Sequence, residues 1–170
     1  MELLDLYDKN KRLTGKVIKR EKGMIIEEGL YINVVLIFIQ NSSGKFLLQL
    51  TSKEKGSVIA TTGGHVKHGQ TSYEAIIAEV KEEIGIDIQK EEVKHIKSEI
   101  FNKVIFDIYY LEKNIDINKL ILQAEEVESV MWLSAEEIEK LINEDKVRKS
   151  NIKPFRDVLE YLKQERGLDW

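Results

Sequence analysis

The chain has 170 residues, 26 of them Lys or Arg and 30 Asp or Glu, a formal charge of −4, and no cysteine. This length suits one domain with a sizeable core; the charge balance gives no broad basic field for a nucleic-acid polymer, and the missing cysteines exclude disulfides, thiolate metal sites and cysteine nucleophiles together. The longest apolar run, residues 34–39, falls far short of the ~20 residues of a bilayer helix, and residues 1–7 run into charged sequence rather than a long apolar signal region, so the expectation is a soluble, cytoplasmic protein with no membrane partner.

In chain order, residues 3–7, a polar turn at 8–11 and residues 15–18 read as a hairpin-like arm, followed by a charged connector to about residue 28. Residues 31–39 are β-branched and apolar enough for a buried strand. Asn41-Ser42-Ser43-Gly44 supplies a turn, and residues 45–51 complete a hairpin. A short strand at 58–62 delivers the chain into Gly63-Gly64. Thr71 and Glu74 form a capping box, and Gly85 sits where a glycine would end the helix. Between them Tyr73, Ile76, Ile77, Val80 and Ile84 make one apolar stripe at helical spacing. Two strands follow, 95–102 and 104–112, with Tyr109 and Tyr110 pointing to opposite faces. Strand 127–133 carries Trp132, read as core packing. Ser134 and Glu137 form a second capping box opening a helix to about residue 143, and Pro154, the one proline, suits the first turn of a final helix running toward Gly167. This order predicts an α+β fold, an α/β/α sandwich around a mixed sheet, as a single domain over 1–170 with an N-terminal arm (1–29), a loop and helix (63–86) and C-terminal helices (134–167).

The chemistry concentrates in residues 63–86, GGHVKHGQTSYEAIIAEVKEEIGI. Glu79, Glu82 and Glu83 stand at i, i+3 and i+4, on neighbouring turns of a helix. At about 100° per residue, Glu79 and Glu83 fall on the shoulder of the apolar stripe and Glu82 lies farther round. Anionic oxygens so close together repel one another unless something positive sits between them, and Mg²⁺ or Mn²⁺ suits oxygen ligands. Around this helix, His65 and His68 lie in the preceding loop, and Glu125, Glu126 and Glu128 stand at the start of strand 127–133.

These residues resemble the Nudix box, G-x5-E-x7-R-E-U-x-E-E-x-G-U with U aliphatic, and the alignment needs no gap. Gly64 is the first glycine, Glu79 follows the arginine position, Val80 is the aliphatic, Glu82 and Glu83 are the acid pair, and Gly85-Ile86 close the motif. The arm, the strands flanking the box and the element VESVMWLSAEEIEKL extend the similarity over nearly the whole chain, and arm and tail look most like the isopentenyl-diphosphate-isomerase-like branch. Two positions depart from the pattern: Gln70 stands at the first glutamate and Ala78 at the arginine, whose planar guanidinium orients a catalytic glutamate in the family.

The resemblance implies a Nudix fold and Mg²⁺- or Mn²⁺-dependent hydrolysis of a pyrophosphate bond in a nucleoside-diphosphate-linked or related small molecule. Carried over by position, Glu79 and Glu83 are the main metal ligands, Glu82 is a ligand or water-orienting group, and the Gly63 carbonyl is a further ligand. Gln70, His65, Glu126 and Glu128 are secondary candidates; Gln70 brings an amide oxygen without charge, and His65 matches the histidine of a Gly-His element in isomerase-like relatives. Two alternatives stay open. One is a non-catalytic, diphosphate-binding Nudix domain for sensing or regulation, favoured by Gln70 and Ala78. The other is isopentenyl-diphosphate isomerase, whose family mechanism uses a cysteine that this chain lacks, Gly63 standing at the matching position.

Overall fold

The computed structural model describes residues 2–167. Its elements are β1 (Leu3–Tyr7), β2 (Leu13–Lys19), β3 (Ile32–Gln40), β4 (Phe46–Thr51), β5 (Ile59–Ala60), β6 (Thr62–His65), α1 (Ser72–Ile84), β7 (Lys94–Phe101), β8 (Val104–Glu112), β9 (Val127–Leu133), α2 (Ala135–Asn143) and α3 (Lys149–Arg166). The first two strands pair as the arm expected from sequence. Leu4 and Leu6 of β1 are buried against Ile32, and Tyr7 bridges Tyr31, which fixes the arm on the body of the protein.

The main sheet is organised around β3, whose run INVVLIFIQ is apolar on both faces because both are covered. Parallel β8 follows it from Ile32↔Val104 to Gln40↔Glu112, and antiparallel β7 lies outside β8. On the opposite edge of β3, β6 takes the stretch from Val34 to Ile37. One face of the sheet, through Val35, Ile37, Ile39 and Tyr109, packs on Ile76, Val80 and Ile84 of α1. The other, through Leu36, Phe38, Phe46 and Tyr110, packs on Ile138 of α2 and on Phe155, Val158 and Leu162 of α3. The result is the α/β/α sandwich anticipated from the order of elements, with Tyr109 and Tyr110 on opposite faces and Trp132 against the core on the α1 side.

Three local expectations are corrected. The turn after β3 does not close a full hairpin: β3 and β4 meet at Gln40↔Phe46, after which β4 runs with β9 on one side and with β5 on the other. The short strand at 58–62 is two strands, because the chain changes partner after Ala60, from β4 to β3, and Gly63-Gly64 lie within β6 rather than beyond it. Finally, α3 begins at Lys149, so Pro154 sits in its second turn. Tertiary contacts set that start: Val147 bridges Ile59, the Arg148 N–H donates to the Ile59 carbonyl at 2.8 Å, and buried Asn151 accepts from the Thr61 N–H at 2.8 Å. Pro154 is buried with its neighbour Phe155, so packing outweighs the backbone hydrogen bond that the ring removes.

Candidate active site

The acid-bearing helix forms for local reasons. Thr71 Oγ1 accepts from the Glu74 N–H at 3.1 Å and Glu74 Oε1 accepts from the Thr71 N–H at 2.9 Å, completing the capping box. At the other end Gly85 adopts φ +75° and leaves room for Ile121, which a Cβ would meet at 3.0 Å. Along the intervening turns Glu83 is buried, Glu79 half-buried and Glu82 exposed, with Glu82 the most exposed of the three as its angle from the apolar stripe implies.

Glu79, Glu82 and Glu83 face Gly63 and Gly64 across a cleft of ≈150 Å³, whose remaining walls are Glu2, Arg20, His65, Lys67, Gln123 and Glu126. The two glycines serve different needs. A Cβ on Gly63 would clash with the Val35 carbonyl oxygen and stand 2.6 Å from Leu36 Cδ2, so this glycine lets β6 lie against β3. A Cβ on Gly64 would overlap the Glu79 carboxylate, reaching 2.8 Å even from Oε2. That clash involves the end of a flexible side chain, so Gly64→Ala is expected to fold and to drive Glu79 out of place. Calorimetric titration should show Mn²⁺ affinity falling by about 10–100-fold, the range seen when support of a metal ligand is lost.

Glu79 and Glu83 line the same cleft, near enough for each carboxyl to perturb the other. Burial raises both above the ordinary carboxylate range; for Glu83 the neighbouring Glu79 carboxyl adds to the effect, and for Glu79 the charge of Glu82 does. From the sheet, Gln49 donates Nε2 to Glu83 Oε1 at 3.2 Å and accepts from Thr62 Oγ1 at 3.3 Å. Gln49 was not among the sequence candidates. Its signal was a lone buried amide in the apolar strand FLLQLT.

The structure divides the remaining candidates. His65 lines the cleft, where burial and then the Arg20 guanidinium push its imidazole down to about 4. Glu126 lines it too, held by a loop in which the Gln123 N–H donates to the Glu83 carbonyl at 3.0 Å and the Glu126 N–H to the Gln123 carbonyl at 2.9 Å. Glu125 and Glu128 border a separate surface hollow beside Ser52 and Lys53. Gln70 turns back into its own loop, its Oε1 accepting from the Lys67 N–H at 3.0 Å, and opens onto a hollow at the N-terminal end of α1. His68 pairs its Nδ1 with Asp5 Oδ1 at 2.7 Å. A more apolar cavity of ≈220 Å³ between β7 and α3, lined by Phe101, Phe106 and Pro154, has Glu99 as its single acid, tied to Lys153.

Comparison with known proteins places the chain in a family. Residues 30–157 match the NUDIX domain family. The chain belongs to the Nudix hydrolase family. An uncharacterised Nudix hydrolase of Listeria monocytogenes is 33% identical over 147 residues, covering 83% of this chain and 85% of the relative. Nudix hydrolase 3 of Arabidopsis thaliana is 25% identical over 161 residues, which are 85% of this chain but 21% of that protein. Among solved structures, DR0079 from Deinococcus radiodurans superposes with a TM-score of 0.74 at 22% identity, over 87% of this chain and 93% of that one. A Caenorhabditis elegans Ap4A hydrolase gives 0.57 at 20% identity, over 77% and 98%. At those identities the superpositions speak for the Nudix fold alone, and the family assignment rests on the domain match and the Listeria relative.

The donor set fits a divalent cation on two counts. Glu79 and Glu83 bring two acidic side chains into one cleft, Glu83 buried, where a proton or a cation must relieve their repulsion, and the floor beside Glu79 is a glycine whose Cβ would fill the space. Among the described residues no three acidic or histidine side chains converge into a ready-made metal cage, and Glu82 lies exposed at the rim of the cleft.

Proposed function

We propose that this Nudix chain hydrolyses the pyrophosphate bond of a nucleoside-diphosphate-linked or related small molecule, using a divalent cation, Mg²⁺ or Mn²⁺. The observation that carries this reading is the gathering of Glu79 and buried Glu83 in one cleft floored by Gly63 and Gly64, where a Cβ on Gly64 would overlap the Glu79 carboxylate. When bound, such a cation supplies Lewis-acid polarisation of phosphoryl oxygens and a more acidic water. Glu79 and Glu83 hold it, and the Gly63 carbonyl is the further ligand implied by the family pattern. Gln49 orients Glu83 from behind. Glu82, exposed at the rim, orients water, and Glu126 offers a second carboxylate from the facing wall. His65, neutral near pH 7 by the downward shift of its imidazole, adds a hydrogen-bonding group without repelling a cation.

The test is turnover by the purified full chain on a panel of nucleotide sugars, dinucleoside polyphosphates of the Ap4A type and nucleoside di- and triphosphates. Monophosphate or phosphate release that stops with EDTA and returns with Mg²⁺ or Mn²⁺ supports the reading. A second reading, diphosphate binding without hydrolysis, is favoured by the placement of Gln70, whose amide oxygen is engaged by the loop. Metal-dependent retention of a panel compound with no turnover under any condition would establish it.

A further inference from the structure

Two cations stand among the acids of the cleft, and neither belongs to the acid-bearing helix. Arg20 follows β2 and Lys67 lies between β6 and α1. Glu2 sits between them, with Oε2 at 2.7 Å from Arg20 Nη1 and Oε1 at 3.4 Å from Lys67 Nζ. Arg20 and Glu2 lie outside the segment, 30–157, that matches the Nudix domain, yet they line the same cleft as Glu79 and Glu83.

Their position is built. The Arg20 N–H donates to the Glu2 carbonyl at 2.9 Å, and the His68 N–H donates to the Leu3 carbonyl at 2.7 Å. Asp5 accepts from the Gly69 N–H at 2.9 Å and holds His68 with its other oxygen. The arm and the loop carrying Lys67 are therefore tied together through backbone and buried Asp5. The three charged side chains remain 34–40% exposed, within reach of a ligand.

We propose that Arg20 and Lys67 form an anion slot for a phosphate of the substrate, and that Glu2 is its resident occupant, displaced when the diphosphate enters. The proposal rests on the hydrolase reading above. A diphosphate approaching Glu79, Glu82, Glu83 and Glu126 meets repulsion, which a cation held by Glu79 and Glu83 offsets near those two residues. The remaining phosphate needs its own positive partners, and among the residues lining this cleft Arg20 and Lys67 supply them. Glu2 presents one oxygen to each cation, as two oxygens of a phosphate would, and the arginine fork matches that shape.

A plain salt bridge between half-exposed groups is the competing account, and the two predict different signs. If the bridge merely braces the arm, Arg20→Ala and Glu2→Gln break the same contact and shift ligand affinity in the same direction. If it marks an anion slot, removing the cation weakens binding and removing the resident carboxylate strengthens it. The experiment is calorimetric titration of the full chain with methylenediphosphonate in the presence of Mn²⁺. Arg20→Ala and Lys67→Ala are expected to weaken binding by about tenfold or more, the scale of a lost charge-assisted contact. Glu2→Gln is expected to tighten it several-fold, and Arg20→Lys to recover part of the loss. Shifts of the same sign for Glu2→Gln and Arg20→Ala, or no shift in either, overturn the slot. Should Glu83→Gln abolish binding while Arg20→Ala leaves it intact, the hydrolase reading stands and the slot falls. Failure of the wild-type chain to bind the probe at all overturns both.

Discussion

Glu83→Gln is expected to lower turnover by on the order of 10²-fold or more, as loss of a metal-holding or acid–base carboxylate does, while leaving the metal-free protein no less stable than the wild type. The two effects separate because the amide keeps the local contacts and loses the charge. Its oxygen can still accept from Gln49 Nε2, which sits 3.2 Å from Glu83 Oε1. What disappears is a second buried acid that has to be neutralised.

The sign follows from the raised carboxyl. Burial, then the neighbouring Glu79 carboxyl, lift Glu83 well above its ordinary 4.5, so the folded metal-free protein holds a proton that the unfolded chain releases. Stability from this source is complete below pH 4.5 and is withdrawn as the pH climbs through the raised folded-state value. Without metal, the variant should match the wild type in mild acid and gain on it steadily toward alkaline pH. Adding Mn²⁺ should reverse the order, since the cation takes the place of the proton in the wild type, more tightly as pH rises, and stabilises the folded state by mass action. Urea midpoints at two pH values, with and without Mn²⁺, check all four conditions. A variant that is less stable than the wild type without metal at alkaline pH contradicts the shared burial of the two acids.

The acid-bearing helix was legible in sequence because each of its signals lies within a few residues: the capping box, the stripe and the terminal glycine all act over one or two turns. The exposure of Glu82 relative to Glu79 and Glu83 came from the same periodicity, whereas the deeper burial of Glu83 than of Glu79 did not. The rest of the cleft is assembled from distant segments. Glu2 and Arg20 arrive from the arm, Gln49 from β4, and Gln123 with Glu126 from the loop stitched to the end of α1. No spacing rule connects those positions, and the choice of Glu126 over Glu128 depends on where the Gln123 N–H finds its acceptor. The change of strand partner after Ala60 was hidden for a related reason: β5 and β6 are short, and their partners are chosen by close approach at Gly63 rather than by side-chain alternation. The proline rule misplaced the start of α3 because contacts from Val147, Arg148 and Asn151 to β5 and its flank, not a cap, begin that helix.

The largest stability effect is expected at Asp107, a fully buried carboxylate on β8. Its Oδ2 receives Lys11 Nζ at 2.6 Å, Ser72 Oγ at 2.7 Å and Asn33 Nδ2 at 3.0 Å, and its Oδ1 receives Ser98 Oγ, with His95 Nε2 at 3.5 Å. One side chain thereby joins the tip of the arm, β3, the first residue of α1 and β7. Burial alone would raise its pKa, but the hydrogen bonds from Lys11, Ser98 and Ser72 outweigh that and hold it below 3.8. Asp107→Ala should cost roughly 3 kcal/mol, the order of a lost set of bonds to a buried charge. Part of the loss is limited because Ser72 keeps Tyr109, Asn33 keeps the Ile105 carbonyl, and Lys11, partly exposed, can turn to water. Asp107→Asn should cost less, since the amide oxygen can serve the three donors at Oδ2 while the Ser98 hydroxyl rotates to accept from the amide NH₂. The depressed pKa sets the pH dependence. The contribution of Asp107 is present above pH 3.8 and is lost as pH falls through the lower folded-state value, so the gap between wild type and either variant should close in strong acid. Urea denaturation at neutral and acidic pH, read as a change in midpoint at constant slope, checks both the magnitude and the closing of the gap. A neutral-pH gap below about 1 kcal/mol for Asp107→Ala would mean that the arm and α1 are held by their apolar contacts, with this cluster contributing no more than an exposed ion pair.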